Sequence, residues 1–233
     1  MSGGPDAWAI IVAAGASRRM EGRDKTLAPL AGRPLLYYSL RLMEDCAAVE
    51  GVVVVAAAAA RRAVEQLAAS AGCRKVRAVV AGGPRRQDSA AAGVAAARAL
   101  APAAARVLVH DAARPLASPA LVARVLAALA DADGAVPGVA PADTIKEVDA
   151  TARVAATLCR DRLRAVQTPQ GFGLAALAAA YERAQAEGWE VTDDAAALER
   201  AGGNVVVVEG EVANFKITYP ADLARAELLL QSR

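Results

Sequence analysis

Residues 10–25 read IIVAAGASRRMEGRDK. A short apolar run leads straight into alanines and a glycine, and a cluster of cations follows. Small residues let the backbone approach a ligand closely, with its N–H groups facing it. Arg18, Arg19, Arg23 and Lys25 then offer positive charge to phosphate oxygens, an arrangement suited to the triphosphate of a nucleotide. The stretch is neither of the two commonest nucleotide motifs. A dinucleotide fingerprint needs G-x-G-x-x-G, and only Gly15 is present. A Walker loop needs G-x-x-x-x-G-K-[ST], but Met20 stands five places after Gly15, and Gly22 is followed by Arg23. Taken alone, the stretch also reads as a strand followed by a solvated basic loop.

Outward from this strand, short β-branched runs alternate with longer Ala/Leu/Arg segments. The pattern predicts strands over 9–12, 52–55, 78–80, 107–110, 134–139 and 205–208. It predicts helices over 34–43, 60–69, 89–100, 118–130, 174–187 and 194–201, and a last helix with Pro220 in its first turn. Runs such as VVVV at 52–55 lack polar alternation and should be covered on both faces. Repeated strand–helix order with such strands predicts an α/β fold with a mainly parallel sheet. Ligands in such sheets bind outside the carboxyl ends of the strands, and the polar motifs follow predicted strand ends or lie in later loops able to fold back there.

The 233 residues are ample for a packed core, and the net charge of +2 is close to balanced. With 3 % aromatics and no long basic block, the chain does not read as a nucleic-acid binder. Three widely spaced cysteines form no CxxC pair or disulfide framework, and the expected compartment is the reducing cytoplasm. The single His110 excludes a metal site needing two histidines. The start MSGGPDAW lacks the regions of a signal peptide, and no apolar run is long enough to span a bilayer. Abundant alanine is compositional bias, and it blunts periodicity because alanine fits cores, surfaces, helices and turns alike.

AGGPRRQDS at 81–89 places two glycines before a predicted helix that Ser89 is able to cap; it also reads as a plain strand–turn–helix junction. VLVHDAARPL at 107–116 puts Asp111 just beyond a buried strand, where it is placed to hold Mg²⁺, with Arg114 able to grip a phosphate. Alternatively Asp111 and Arg114 pair with each other. ADTIK (142–146), CRDR (159–162), QTPQGF (167–172), VTDDAAAL (191–198) and NFKIT (214–218) each put polar groups at an element edge. Thr192 or Asp193 is an N-cap candidate, and Lys216 lies in a strand-like segment where a charge usually faces solvent.

Residues 141–167 break the alternation. Ile145, Val148, Val154, Leu158 and Val166 sit among charges without a helical stripe, in a segment too long for an ordinary connection. It reads as an extended arm or hairpin outside the sheet, which needs a partner surface to be stable. The other reading is an excursion packed on its own domain.

Together these strings resemble the 2-C-methyl-D-erythritol 4-phosphate cytidylyltransferase family, in order and from Ile10 to about Leu229: AAGASRRM, DK, GGPRRQDS, VHDAARP, DTIK, QTPQGF, TDDA and NFKIT. Several strings in register are far more specific than any one. The resemblance implies a Rossmann-like nucleotidyltransferase fold in a single domain over 1–233, a Mg²⁺ requirement, and a homodimer built by exchange of the arm. It implies that Arg19 and Lys25 stabilise charge at the α-phosphate of CTP, and that Arg160 and Lys216 position the polyol phosphate. Ala13, Ala14, Gly15, Ala16, Ser17, Gly83 and Ser89 would line the nucleotide site. Asp111 would lie between sugar and metal, with Arg114, Thr144, Thr168 and Thr192 around the sugar phosphate; Thr144 and Arg160 would act across the dimer. The chain departs from the pattern in four places. Ser17 replaces a glycine, the segment before Lys25 is one residue short, Asp24 stands where proline is usual, and Pro84 follows the glycine pair.

The chemistry implied is transfer of CMP from CTP to the polyol phosphate with release of pyrophosphate. A phosphate monoester is already anionic near neutral pH, so no strong general base is needed, which agrees with one histidine. Rival readings are a ribitol 5-phosphate cytidylyltransferase, a molybdopterin guanylyltransferase and a non-catalytic nucleotide-binding module of the same fold. The length leaves no room for a fused cyclase, so one reaction is expected.

Overall fold

The apolar run of the opening stretch forms β1 (Ala7–Ala13), a central strand of the main sheet. A computed structural model describes residues 7–15 and 25–231. The chain continues through a small ribbon, β2 (Pro29–Leu30) and β3 (Arg33–Pro34), to α1 (Leu35–Asp45), β4 (Val49–Ala56), α2 (Arg61–Ser70) and β5 (Val76–Ala81). Next come α3 (Arg86–Leu100), β6 (Arg106–Asp111), α4 (Pro119–Ala128) and β7 (Gly134–Val139). A hairpin of β8 (Lys146–Val148) and β9 (Val154–Thr157) precedes β10 (Ala165–Val166) and β11 (Gln170–Gly173). The chain ends with α5 (Leu174–Ala186), α6 (Asp194–Arg200), β12 (Val205–Glu209) and α7 (Pro220–Gln231).

The main sheet has the order β10–β7–β11–β6–β1–β4–β5, with β12 paired to β7. β1, β4, β5, β6, β7 and β12 run parallel, and each was expected from sequence; β10 and β11 run against them. The central strands β1, β4, β6 and β7 are covered on both faces, as their apolar runs require, whereas β5 and β12 are partly exposed. Along β1, Ala7, Ala9, Ile11 and Ala13 join the core beneath α1, α2 and α4. Trp8 and Ile10 join the opposite core with α3, α5 and α6. A third cluster of Leu30, Leu35, Leu116, Ile217 and Ala226 seats α7 beside the ribbon. Val52, Val53, Val54 and Val55 of β4 are all buried, each contributing about 1.5–3 kcal/mol by transfer. Among the described residues no helix is long and apolar enough to cross a membrane.

Local signals set several boundaries. Ser118 caps α4, its Oγ accepting from Leu121 N–H at 3.0 Å, with Pro119 next. Asp193, not Thr192, caps α6, accepting from Ala196 N–H at 2.9 Å. α3 begins three residues earlier than expected, at Arg86, so Ser89 lies inside its first turn and is not its cap. Lys216 is not in a strand: among the described residues no strand follows Glu209, and 213–218 is a loop held to the body by its backbone.

The 141–167 segment does leave the sheet as a hairpin, but its tail returns. Ala165 and Val166 pair with Val139 and Gly138, so the far limit of the arm lies before 165. Val148 and Val154 are 53 % and 59 % exposed.

Helix α3 crosses the sheet at Gly93. A Cβ there would stand 2.4 Å from Ile10 Cγ2 and 2.8 Å from a Val55 methyl. Helix propensity alone would make Gly93→Ala stabilising by about 1 kcal/mol. Overpacking costs about 1–3 kcal/mol, and here both neighbours are buried β-branched side chains with little freedom to move. Urea denaturation of Gly93→Ala should therefore show net destabilisation of about 1 kcal/mol; a stabilised variant would show that the sheet and helix separate easily.

Candidate active site

The chain leaves β1 toward β4 and β5, but leaves β6 toward β7 on the other side. The carboxyl ends of β1 and β6 therefore flank a topological switch point, where open α/β sheets bind ligands. Val12 lies opposite Asp111 across these strands, and Ala112 N–H donates to the Val12 carbonyl at 3.0 Å. Ala13 ends β1, and Ala14 and Gly15 lead into the basic stretch. Ala16, Ser17 and Arg19 lie outside the described residues. Lys25 opens a 3₁₀ turn, Lys25–Leu27.

The loop after β5 arches over the end of β4 to meet the loop after β1. A Cβ on Gly82 would lie 2.3 Å from Ala14 Cβ and 2.7 Å from Ser89 Oγ, so only glycine fits. The requirement is space: neither Gly82 nor Gly83 has positive φ. Ser89, 3 % exposed, accepts from Gly83 N–H at 3.2 Å and is 3.2 Å from the Arg85 carbonyl, to which its hydroxyl can donate. Its hydroxyl thus closes the loop. Asp88 accepts from Arg85 N–H at 3.1 Å and pairs with the Arg85 guanidinium.

Asp111, 6 % exposed, is the centre of the site. One carboxylate oxygen accepts from Arg86 Nε at 3.0 Å and the other from Lys216 Nζ at 2.6 Å. Burial opposes its ionisation, yet Arg86 and then Lys216 overcome that and hold it well below the usual carboxylate range. Arg86 also reaches Asp194, 2.7 Å away and fully buried. The free oxygen of Asp194 accepts from the Tyr181 hydroxyl, whose pKa burial and then Asp194 push well above its ordinary value. Arg86, Asp194 and Tyr181 were not singled out from sequence. The only signals were the second arginine of PRRQDS and the second aspartate of TDDA.

Lys216 reaches Asp111 because its loop is fastened on both sides. Ile217 N–H donates to the Ala113 carbonyl at 2.8 Å, and Arg114 Nη1 donates to the Asn214 carbonyl at 2.8 Å. Asn214 Nδ2 donates to the Thr168 carbonyl at 2.9 Å. Arg114 therefore braces loops and does not ion-pair with Asp111. Its Nε is buried without a hydrogen-bond partner among the described residues.

Thr168 and His110 complete the frame. The Arg114 carbonyl, 3.2 Å from His110 Nε2, can only accept, so Nε2 carries the proton. Nδ1 then accepts from Thr168 Oγ1 at 3.1 Å, and that oxygen accepts from Asp111 N–H at 2.9 Å. Full burial lowers the His110 pKa to about 4, keeping the ring neutral. Thr192 and Thr144 are exposed and make no side-chain hydrogen bond among the described residues. Arg160 opens a 3₁₀ turn after β9 and donates to the Ala142 carbonyl at 2.9 Å.

No cluster of three acidic, histidine or cysteine side chains able to cage a metal occurs among the described residues. Asp111 alone suits Mg²⁺ that takes its other ligands from phosphates and water, since each of its oxygens retains a lone pair beyond the one used by Arg86 or Lys216.

Small-residue loops, a carboxylate bound by two cations, and a switch point between parallel strands define an α/β fold whose strand ends offer a site suited to anionic ligands. The sequence pattern of the 2-C-methyl-D-erythritol 4-phosphate cytidylyltransferase family matches residues 7–232. The bifunctional enzyme IspD/IspF of Nitratidesulfovibrio vulgaris is 48 % identical over 223 residues, covering 93 % of this chain and 56 % of that protein. The chain thus spans about half the length of the first such relatives. The 2-C-methyl-D-erythritol 4-phosphate cytidylyltransferase of Synechococcus sp. JA-3-3Ab is 40 % identical, covering 96 % of this chain and 97 % of that protein. The crystal structure of the Thermus thermophilus enzyme of the same name superposes with a TM-score of 0.78 at 34 % identity, covering 95 % of this chain and 98 % of that one. The 4-diphosphocytidyl-2C-methyl-D-erythritol synthase of Anaerococcus prevotii superposes with a TM-score of 0.83 at 29 % identity, covering 97 % and 98 %. The chain belongs to the 2-C-methyl-D-erythritol 4-phosphate cytidylyltransferase family.

The His110 shift has a consequence for stability. A histidine whose folded pKa is depressed contributes stability that is complete above its unfolded pKa of 6.5 and lost as pH falls through about 4. Between pH 7 and 4.5 the unfolding free energy should fall by about 2 kcal/mol from this residue. Chemical denaturation should show a shallower slope over that window in His110→Gln; an unchanged slope would mean the ring is solvated or charged in the native state.

Proposed function

We propose that this chain transfers CMP from CTP to 2-C-methyl-D-erythritol 4-phosphate, releasing pyrophosphate and giving 4-diphosphocytidyl-2-C-methyl-D-erythritol for non-mevalonate isoprenoid synthesis. The observation that carries the reading is the convergence of Lys216, Asp111 and Arg86 at the switch point in a chain of this family. A phosphate oxygen of the acceptor attacks the α-phosphorus of CTP in line, forming the new P–O bond. The bond from that phosphorus to the pyrophosphate breaks, and pyrophosphate leaves with the electron pair. The acceptor phosphate is already ionised, so no proton need be removed. His110 is unsuited to be a base, since both ring nitrogens are committed within the fold.

The chain's own contribution is positioning and charge. The Ala13–Gly15 turn, Gly83 and Ser89 hold the nucleotide side. Arg19 and Lys25 neutralise charge growing at the α-phosphate. Lys216, Arg114, Thr168 and Thr192 surround the acceptor, and Asp111 orients it. Bound Mg²⁺, held by Asp111 and phosphate oxygens, would neutralise phosphate charge. The enzyme works in the cytoplasm as a homodimer through its nucleotidyltransferase domain, exchanging arms so that Thr144 and Arg160 enter the partner's site. The exposed apolar residues of the hairpin, Val148 and Val154, support a covered arm.

Pyrophosphate release with CTP, Mg²⁺ and a panel of polyol phosphates tests the reaction. Turnover should require 2-C-methyl-D-erythritol 4-phosphate; preference for ribitol 5-phosphate would reassign the acceptor. Lys25→Ala should lower kcat by roughly 10²–10³ with a smaller loss of CTP affinity. Near-normal turnover would remove Lys25 from the mechanism.

Arm exchange makes a separate prediction. Lys25→Ala and Arg160→Ala homodimers should each be nearly inactive, whereas co-expression should restore activity. About half of randomly paired dimers are mixed, each with one site carrying neither lesion, so recovery should reach at most about a quarter of wild type. Mixed dimers without recovery would place Arg160 in its own chain's site.

A further inference from the structure

We propose that Arg86 is a positioning residue for the acceptor: it sets the Asp111 carboxylate against Lys216 and locks the first turn of α3 to the 189–194 segment. The inference rests on the acceptor-side assignment made above. Charge balance alone does not require this arrangement. Lys216 already neutralises Asp111 at 2.6 Å, and Arg86 brings a second cation with its own, fully buried counterion, Asp194. What the additional pair supplies is geometry. The planar guanidinium presents Nε to Asp111 and Nη2 to Asp194 at 3.0 and 2.7 Å, a fork that fixes two carboxylates relative to each other. Asp194 cannot rotate away, because its other oxygen accepts from the Tyr181 hydroxyl on α5.

The neighbouring residue extends the lock. Gln87 Nε2 donates to the Trp189 carbonyl at 2.8 Å, and its Oε1 accepts from Val191 N–H at 3.0 Å. Gln170 Nε2 donates to Asp193 Oδ2 at 2.9 Å. Thr192 is thereby held on both sides, at Val191 by Gln87 and at Asp193 and Asp194 by Gln170 and Arg86. Its own side chain stays exposed and uncommitted. The first turn of α3 thus orients Asp111 and Thr192 together, while the preceding loop, closed by Ser89, faces the nucleotide side.

Steady-state kinetics on the full chain, varying CTP and acceptor separately, tests this in Arg86→Lys, Asp194→Asn and Tyr181→Phe. Arg86→Lys and Asp194→Asn should each raise the acceptor KM by about tenfold or more, with the CTP KM within about twofold of wild type. A lysine at position 86 should not rescue, because a point charge cannot bridge both carboxylates. Tyr181→Phe leaves the ion pairs in place, so it reads the lock even if the other variants fold poorly. It should move the acceptor KM in the same direction by a smaller factor. A purely structural Arg86 would lower kcat or the active fraction with both KM values unchanged, and that result overturns the proposal, as would a fully active Arg86→Lys. A wild-type chain inactive on every polyol phosphate would overturn the functional reading and this inference with it; a loss confined to variants or its absence bears on Arg86 alone.

Discussion

A carboxylate at the end of a buried central strand must be neutralised, and much of the site follows from that constraint on Asp111. The strand register places it opposite Val12, under the loops, with little access to water. Its counterions come from far along the chain: Arg86 from 25 residues before it, Lys216 from 105 after it. To deliver Lys216, the 213–218 loop must be fastened, which the Arg114 guanidinium on the Asn214 carbonyl, the Asn214 amide on the Thr168 carbonyl and the Ile217 N–H on the Ala113 carbonyl accomplish. To deliver Arg86, α3 must begin at 86 and a second buried carboxylate must receive the rest of its guanidinium.

Such a network is a poor source of net stability. Burying ions costs several kcal/mol each, and apolar replacements of similar volume are often neutral or better. Removing one member alone, by contrast, costs about 3–5 kcal/mol because the other is stranded. The hydrophobic clusters on the two faces of the sheet supply the stability. The ionic network specifies where four side chains stand, which is the property that would matter in the proposed reaction, one catalysed by positioning.

The fold was legible to the extent that its strands are short apolar or β-branched runs, including β5 and β12, which are only partly buried. All six parallel strands announce themselves as β-branched or apolar runs. β11, of sequence QGFG, does not: Val125 and Leu129 leave no room for a side chain at Gly171, a constraint that no local pattern announces. Its place between β6 and β7 is a tertiary fact with no local signature. The site was legible as motifs and not as contacts. Asp111 and Lys216 could be named from the strings that contain them, yet NFKIT looks like a strand whose charge points outward. Arg86 was hidden beside Arg85, which is exposed and pairs only within its own turn or with exposed Glu190. Two adjacent arginines and two adjacent aspartates, Asp193 and Asp194, divide the same way: one caps or closes a turn, the other joins the ionic network around Asp111. Sequence alone cannot assign which is which, because a helix start displaced by one residue exchanges their roles.

The same network bears on the choice of chemistry. Arg86 and Lys216 pair with Asp111, Arg86 pairs also with Asp194, and Arg114 stands close enough to Asp111 to feel its charge. Cations grouped in this way favour anionic ligands and would ease deprotonation of a bound acid, but the site's carboxylates are committed to Arg86, Lys216 and Tyr181 and so are poor acceptors of the proton. Its one imidazole cannot compensate. His110 spends Nε2–H on the Arg114 carbonyl and Nδ1 on Thr168, and burial keeps it from gaining a proton above about pH 4. Releasing it to act as a base would unfasten Thr168 from Asp111, and with it the carboxylate that Lys216 depends on. The histidine therefore contributes by staying neutral and fixed, and the reaction that fits around it is one whose nucleophile arrives already charged.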